Sequence, residues 1–382
     1  MFPIAEDAPK LTDDIAKRLA ERIYKGEKIV SDRELLRATA AELMHGVKKG
    51  YGKADWNAAD TETIEHLTEN VYQFAAAKNW HELRDMTDAV HDGNRIRTFE
   101  EFAEKVDGIS GKYNRDWLRT EYNQAVAASQ SAARWDGFKR RQEEMPYLQY
   151  QCIMDGNTRP EHAALHGVIK RMDDPFWTQY MPPNGWGCRC EAVQMPGSRY
   201  RETPDSKIQL PNVPQMFRIN FGQKALAFPP GHAYFKRMPD NVWKKLKGEI
   251  RIEVLHYEQK ETRRFVNKNV EKVSIDSKQY YTTHLVCGHR DMKNVISHCM
   301  TMDELHVAKN LNKYLPNLKD GKYEPLKPKG NTAKKIAERH VRNYTVYDFE
   351  ADGDKYILKC EAIKREKDAH VEEHPYFLKK KK

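Results

Sequence analysis

Apolar residues recur at three- and four-residue steps through the first 140 positions, the spacing that lines one face of an α-helix. It predicts helices over DIAKRLAERIYKG (14–26), RELLRATAAELMHGVKKG (33–50) and TETIEHLTENVYQFAAAK (61–78), and a long one from Tyr113 to about Glu144. In the last, Trp117, Glu121, Gln124, Ala128, Ser131 and Trp135 share a face, and the many Ala and Ser allow close helix packing. From Tyr147 to Pro230 the periodicity breaks into Gly-, Pro-, Asn- and Asp-rich turns separated by short apolar runs, the pattern of irregular loops and short strands. Periodicity returns beyond Pro230. NVWKKLKGEIRIEVL, MTMDELHVAKNLNKYL and TAKKIAERHVR read as helices and YYTTHLVC as a strand. YTVYDFE, the turn ADGD, KYILKCEAIKR and HPYFLKK then alternate apolar and polar positions, which predicts an antiparallel hairpin or meander. The fold class expected is α+β. A mainly helical domain with a loop-rich knot would occupy residues 1–225, a linker 226–230, and a small module with an antiparallel sheet 231–382.

Charge sharpens this division. The net charge of +9 splits into −2 for residues 1–230 and +11 for residues 231–382. A basic carboxy-terminal module fits a polyanionic partner, RNA or packaged DNA; the plainer reading is a solvated lysine-rich surface ending in Lys379–Lys382. With 7 Trp, 19 Tyr and 13 Phe in 382 residues the chain is too aromatic to be disordered. No stretch approaches the ~20 apolar residues of a membrane span, and MFPIAEDAPKLTDD lacks the order of a signal peptide, so a cytoplasmic protein with no membrane partner is expected. Six cysteines are too few for a disulfide scaffold and are expected as thiols or metal ligands.

The densest stretch is Tyr150 to Met195. Gly156, Gly167, Gly185 and Gly187 supply unusual backbone angles, Pro160, Pro175, Pro182 and Pro183 fix φ, and Trp177 and Trp186 offer large apolar area for pinning loops to the long helix. The composition points to a shape-specifying lock rather than a catalytic centre.

Asp155, Arg159, His162, Leu165 and Gly167, followed by DDPFW at 173–177 and PPNGWGCRC at 182–190, resemble the signature of the phage Mu F-like minor head proteins. The upstream WLRTEYNQAVAASQSAARW at 117–135 resembles the long helix before that signature, and the likeness covers about Arg33 to Tyr200. It implies a minor capsid, head-morphogenesis protein of a tailed phage or prophage. Such a protein meets portal and capsid proteins, assembles in the bacterial host cytoplasm and ends in the virion, inside the head. Beside the resemblance, His162, Cys188 and Cys190, with Cys152 as a fourth donor, make up the inventory of a structural Zn²⁺ site. One residue between Cys188 and Cys190 is shorter than the usual spacing. The plainer reading is metal-free, with both sulfurs buried on one side of a strand, Arg189 on the other, and His162 hydrogen-bonded to a loop carbonyl.

The basic tail is similar in layout to the small RNase-like toxin domains of the barnase, EndoU, colicin and RelE type. That likeness implies a metal-independent RNase and a cognate inhibitor protein. Such chemistry needs a base for the 2′-OH, an acid for the leaving 5′-oxygen and a cation for the phosphorane. The candidates are His306 on a helix, His340 and Arg342 at a helix-to-strand junction, and His374 and Tyr376 on the last strand, with Lys334 and Lys335 as phosphate contacts. His284 and His289 around Cys287 form a lesser set. Seven of the 15 histidines lie between His284 and His374, so surface or capping roles fit each of them too. The sequence holds no HExxH, GxxxxGK[ST] or GxSxG, which argues against metalloprotease, P-loop ATPase and serine hydrolase chemistry. A non-catalytic clamp on nucleic acid or a capsid partner is the alternative.

Overall fold

The computed structural model describes residues 8–52, 58–276, 282–319, 321–326, 331–364 and 371–381. They form two compact units, Met1–Arg251 and Ile252–Lys382.

Unit 1 begins with α1 (Ala8–Tyr24), α2 (Arg33–Tyr51) and α3 (Ala58–Asp88). A two-residue hairpin, β1 (His91–Asp92) and β2 (Arg95–Ile96), leads into α4 (Phe99–Gly111). One π-helical turn, Lys112–Trp117, then joins α4 to α5 (Leu118–Arg140). Two helix starts are closed by side chains: Asp32 accepts the Leu35 amide, and Thr98 and Glu101 form a reciprocal capping box. Leu19, Leu35, Leu83, Met86 and Phe102 make one apolar core. Helices α2 and α5 approach closely because Gly46 and Gly50, one turn apart, face α5; a Cβ on Gly50 would lie 2.2 Å from the Val126 carbonyl oxygen.

The loop-rich stretch supplies β3 (Tyr147–Gln151), α6 (Pro160–Ala163), β4 (Ile169–Arg171), α7 (Phe176–Tyr180) and β5 (Glu191–Met195). The three strands form one antiparallel sheet in the order β4-β3-β5. A second core gathers Trp135 and Phe138 of α5 with Leu148, Tyr150, Leu165, Trp177 and Phe217.

Short helices α8 (Phe221–Lys224) and α9 (Ala233–Lys236) precede the long α10 (Asp240–Asn269). The boundary differs from the linker expected at 226–230. Asn70 Oδ1 on α3 accepts the amides of Ala227 at 2.9 Å and Phe228 at 2.8 Å, and the Phe228 ring stacks on Phe74 at 3.6 Å between centroids. Satisfied buried amides and a stacked aromatic make this segment part of unit 1. The division between the units falls instead within α10, between Arg251 and Ile252.

Unit 2 continues with β6 (Val273–Asp276), β7 (Thr282–Cys287), α11 (His289–His298), α12 (Met302–Lys309) and α13 (Leu311–Tyr314). After β8 (Lys322–Glu324) and α14 (Asn331–Glu338) come the long strands β9 (Val341–Ala351), β10 (Asp354–Ile363) and β11 (Val371–Lys380). Their sheet runs β6-β7-β11-β10-β9-β8. The ADGD turn between β9 and β10 places Asp352 at φ 51° and Gly353 at φ 85°, the left-handed pair a tight hairpin demands. The expected meander is therefore present. What the local pattern did not foresee is the parallel pairing of β11 with β7, which joins segments almost ninety residues apart. Leu285, Met292, Val295, Ile296, Leu358 and Leu378 fill the core of this unit. Among the described residues no helix is long and apolar enough to cross a membrane.

Candidate functional site

The predicted face of α5 is where the loops dock. Glu121, Gln124, Ala128, Ser131 and Trp135 are all buried. The Ser131 hydroxyl donates to the Pro182 carbonyl at 2.8 Å, fixing the PPNGW loop to the helix. The Tyr150 hydroxyl donates to Asn184 Oδ1 at 2.9 Å, and Asn184 Nδ2 donates back to the Met181 carbonyl at 3.3 Å. Trp177 is only 1% exposed and meets Phe176 edge-on at 4.9 Å. Trp186 is half-buried, edge-on to Phe217 at 5.3 Å, and its carbonyl accepts Arg159 Nη2 at 2.7 Å.

Within this lock three soft or borderline donors converge, His162, Cys188 and Cys190, with Cys152 beside Cys190. His162 is positioned by α6, whose first residue, Pro160, has its φ preset for the helix. Its Nδ1 lies 3.6 Å from Cys188 Sγ and 3.5 Å from Cys190 Sγ, and Cys190 Sγ lies 3.3 Å from Cys152 Sγ. Cys152 follows β3; its amide donates to His166 Nδ1 at 3.0 Å and its thiol to the His162 carbonyl at 3.1 Å. Arg189 points away from the sulfurs, as strand-like alternation predicts, and clamps Asp155 through two bonds of 2.7 and 2.5 Å. That clamp holds the Asp155 carboxyl down at about 2. The hydrogen bond from Cys190 and burial together push the Cys188 thiol up to about 12, against the His162 and Asn184 contacts that favour its thiolate. The cavity beside the sulfurs, walled by Ser131, Arg134, Pro182, Cys188 and Glu191, measures about 100 Å³. That is room for ordered water and too little for an organic cofactor.

The candidates in unit 2 fall into separate places. His374 is buried, with Nδ1 3.2 Å from Asp291 Oδ1 and Nε2 3.3 Å from Glu372 Oε2. It sits opposite Glu361, which sits opposite Tyr344 on β9. Glu361 accepts Arg339 Nη1 at 3.1 Å, and burial raises its carboxyl above the ordinary range. Tyr376 stacks on Tyr344 at 6.1 Å and meets the His298 ring at 4.7 Å. Arg342 is exposed on β9 two residues from Tyr344, and His340 is exposed just before the strand at φ 55°. His306 is elsewhere. It faces Asp352 at 3.7 Å, at the β9–β10 turn. Seven residues of β10 separate that turn from Glu361, roughly 23 Å at the rise of a strand, so His306 and His374 do not share a site. Lys334 is exposed on α14 and pairs with Glu338 at 4.0 Å, and the Lys335 side chain lies outside the described residues. His284 lies on β7 opposite Glu372, and His289 Nε2 is 2.7 Å from the Val270 carbonyl oxygen.

The sequence did not single out Asp291, Glu361, Glu372 or Arg339. Asp291 reads as an ordinary first-turn acid of α11, and its carboxylate does accept the Gly288 amide at 2.9 Å. Only the packing of α11 against β11 brings it to His374.

Residues 83–193, which include most of this knot of turns, Trp and Cys on the long helix, match the model of the family described as Phage Mu protein F like protein. The matched stretch is narrower than the resemblance to residues 33–200. Two curated relatives are similar to part of the chain. Protein F of Escherichia phage Mu, whose name assigns it to capsid assembly, is 41% identical over 85 residues, 22% of this chain and 19% of its own. The Mu-like prophage FluMu F protein of Haemophilus influenzae is 44% identical over 73 residues, 19% of this chain and 18% of its own. The matched stretches thus span about a fifth of the length of these relatives. No solved structure matches the chain.

Proposed function

We infer that the chain is a head-assembly protein of a tailed phage or prophage, with portal and capsid proteins as its partners. One observation carries this reading: the region similar to the Mu F proteins is the same region that α5 and the PPNGW loop build into a rigid, largely buried lock. A lock of that kind holds a surface in shape for docking. The chain would assemble in the host cytoplasm and travel in the head. Deleting its coding sequence from a carrier prophage should abolish DNA-filled heads in induced lysates, and mass spectrometry of purified particles should find peptides from both units. Normal heads without the chain would overturn the reading.

For unit 2 the finer reading is an RNA-cleaving effector. Its support is the basic excess of residues 231–382 and the placement of His374 between two carboxylates, beside the Arg339–Glu361 pair and Tyr376. Asp291 orients the imidazole, which exchanges a proton with the 2′-OH or the 5′-oxygen, and exposed Arg342 supplies the cation. The full chain, incubated with total tRNA, should give discrete fragments that His374→Gln abolishes. Intact tRNA, with binding that weakens steeply in salt, would favour the clamp instead.

A further inference from the structure

We propose that Cys152, His162, Cys188 and Cys190 bind one structural Zn²⁺ ion that closes the loop knot of unit 1. The site rests on the placement of these four side chains and stands apart from the head-assembly reading. A tetrahedral ion with Zn–S of about 2.3 Å and Zn–N of about 2.0–2.1 Å sets S···N edges near 3.5 Å and S···S edges near 3.8 Å. The two sulfur-to-Nδ1 separations, 3.6 and 3.5 Å, already have that length, and the donor atoms of His162, Cys188 and Cys190 all lie within 4.8 Å of one another. Cys152 Sγ lies 3.3 Å from Cys190 Sγ but outside that group of three, so its side chain must turn towards the other donors to take the fourth corner.

Three contacts that do not use the ligating atoms hold the segments that carry the donors, while the Cys152 thiol gives up its bond to the His162 carbonyl on binding. Asp155 and Arg189 tie the turn after β3 to the Cys-x-Cys segment. The bond from Arg159 to the Trp186 carbonyl fixes the residue that starts α6 to the PPNGW loop. The bond from the Cys152 amide to His166 sets the end of β3. Preorganised ligands with a supporting shell distinguish a metal site from a chance cluster of thiols. On binding, each of the three thiols gives its proton to solvent and donates a sulfur lone pair; neutral His162 ligates through Nδ1 and keeps its proton on Nε2. No electrons change hands. The ion cross-links β3, α6 and the segment before β5, a stretch in which the regular strands are only three to five residues long.

The test uses the full chain, expressed in zinc-supplemented medium and purified in reducing, chelator-free buffer. Metal analysis should find close to one zinc per chain. Exchange with Co²⁺ should give the intense visible absorption and sulfur-to-cobalt charge transfer of a tetrahedral thiolate site. Cys188→Ser and Cys190→Ser should each lower the zinc content at least tenfold, and Cys287→Ser, in the core of unit 2, should leave it unchanged. The cobalt spectrum of the wild type stands even where a serine variant fails to fold. Less than a tenth of an equivalent of zinc, a Cys152–Cys190 disulfide in freshly isolated protein, or a cobalt spectrum without thiolate bands would each overturn the proposal.

Discussion

Ser131 on α5 and Pro182 in the PPNGW loop are joined by a hydrogen bond of 2.8 Å, and both residues are buried. The hydroxyl ties helix to loop where no strand pairing is available. Ser131→Ala leaves the Pro182 carbonyl buried without this donor, a loss of about 1–3 kcal/mol. Urea denaturation should show that loss with an unchanged slope.

Gly50 marks the closest approach of α2 to α5. Even a methyl group there would lie 2.2 Å from the Val126 carbonyl oxygen, and neither helix backbone can yield cheaply. Gly50→Ala should destabilise unit 1 by about 1–3 kcal/mol despite the better helix propensity of Ala. Hydrogen exchange should show faster opening of α2 and α5, with protection of β9 and β10 unchanged.

A buried charge cluster predicts a pH dependence. Glu82 is fully buried; its Oε1 accepts Asn114 Nδ2 at 2.7 Å, and its Oε2 has no partner among the described residues. The neighbouring ammonium of Lys78 is engaged by Glu121 and by the Tyr113 carbonyl. Burial therefore pushes the Glu82 carboxyl up to about 8, against the pull of Lys78. Because the folded value is raised above the unfolded value of about 4.3, the folded state holds this proton more tightly. The resulting stability is fully present below about pH 4 and is lost as pH rises towards 8. The melting temperature of the wild type should fall between pH 5 and 8.5, roughly the window set by those two values, and Glu82→Gln should flatten that fall. Equal slopes for the two proteins would refute the assignment.

In unit 2, Glu373 is fully buried and accepts the hydroxyls of Thr345, at 2.5 Å, and Tyr347. Thr345→Val removes one donor to a buried carboxylate at nearly constant volume, a loss of roughly 1.5–3 kcal/mol. Protection of the β9–β10–β11 amides should drop accordingly, while α2 and α5 keep theirs.

Parts of this molecule are legible because they depend on local repetition. The face of α5, the left-handed hairpin turn at Asp352–Gly353 and the loop-rich interval between the helices all follow from spacing and residue type. The alternation that turns Arg189 away from Cys188 and Cys190 belongs with them. The start of α4 was equally written, in the Thr98–Glu101 box, yet its short apolar pattern lay hidden between longer runs. The donor set of the knot could be named from the sequence, but its closeness could not.

The chain alone therefore determined its class, its helical first half, its basic second half and the residues able to ligate a metal, because composition and periodicity act over a few neighbouring positions. Tertiary structure alone decided that Ala227 and Phe228 pack as core, that His374 meets Asp291 while His306 stands at the far end of the hairpin, and that Cys152 lies against Cys190. Each of these contacts joins positions tens of residues apart or more. The free energy that selects them comes from burying surfaces together and satisfying the polar groups enclosed, which no local stretch of sequence encodes.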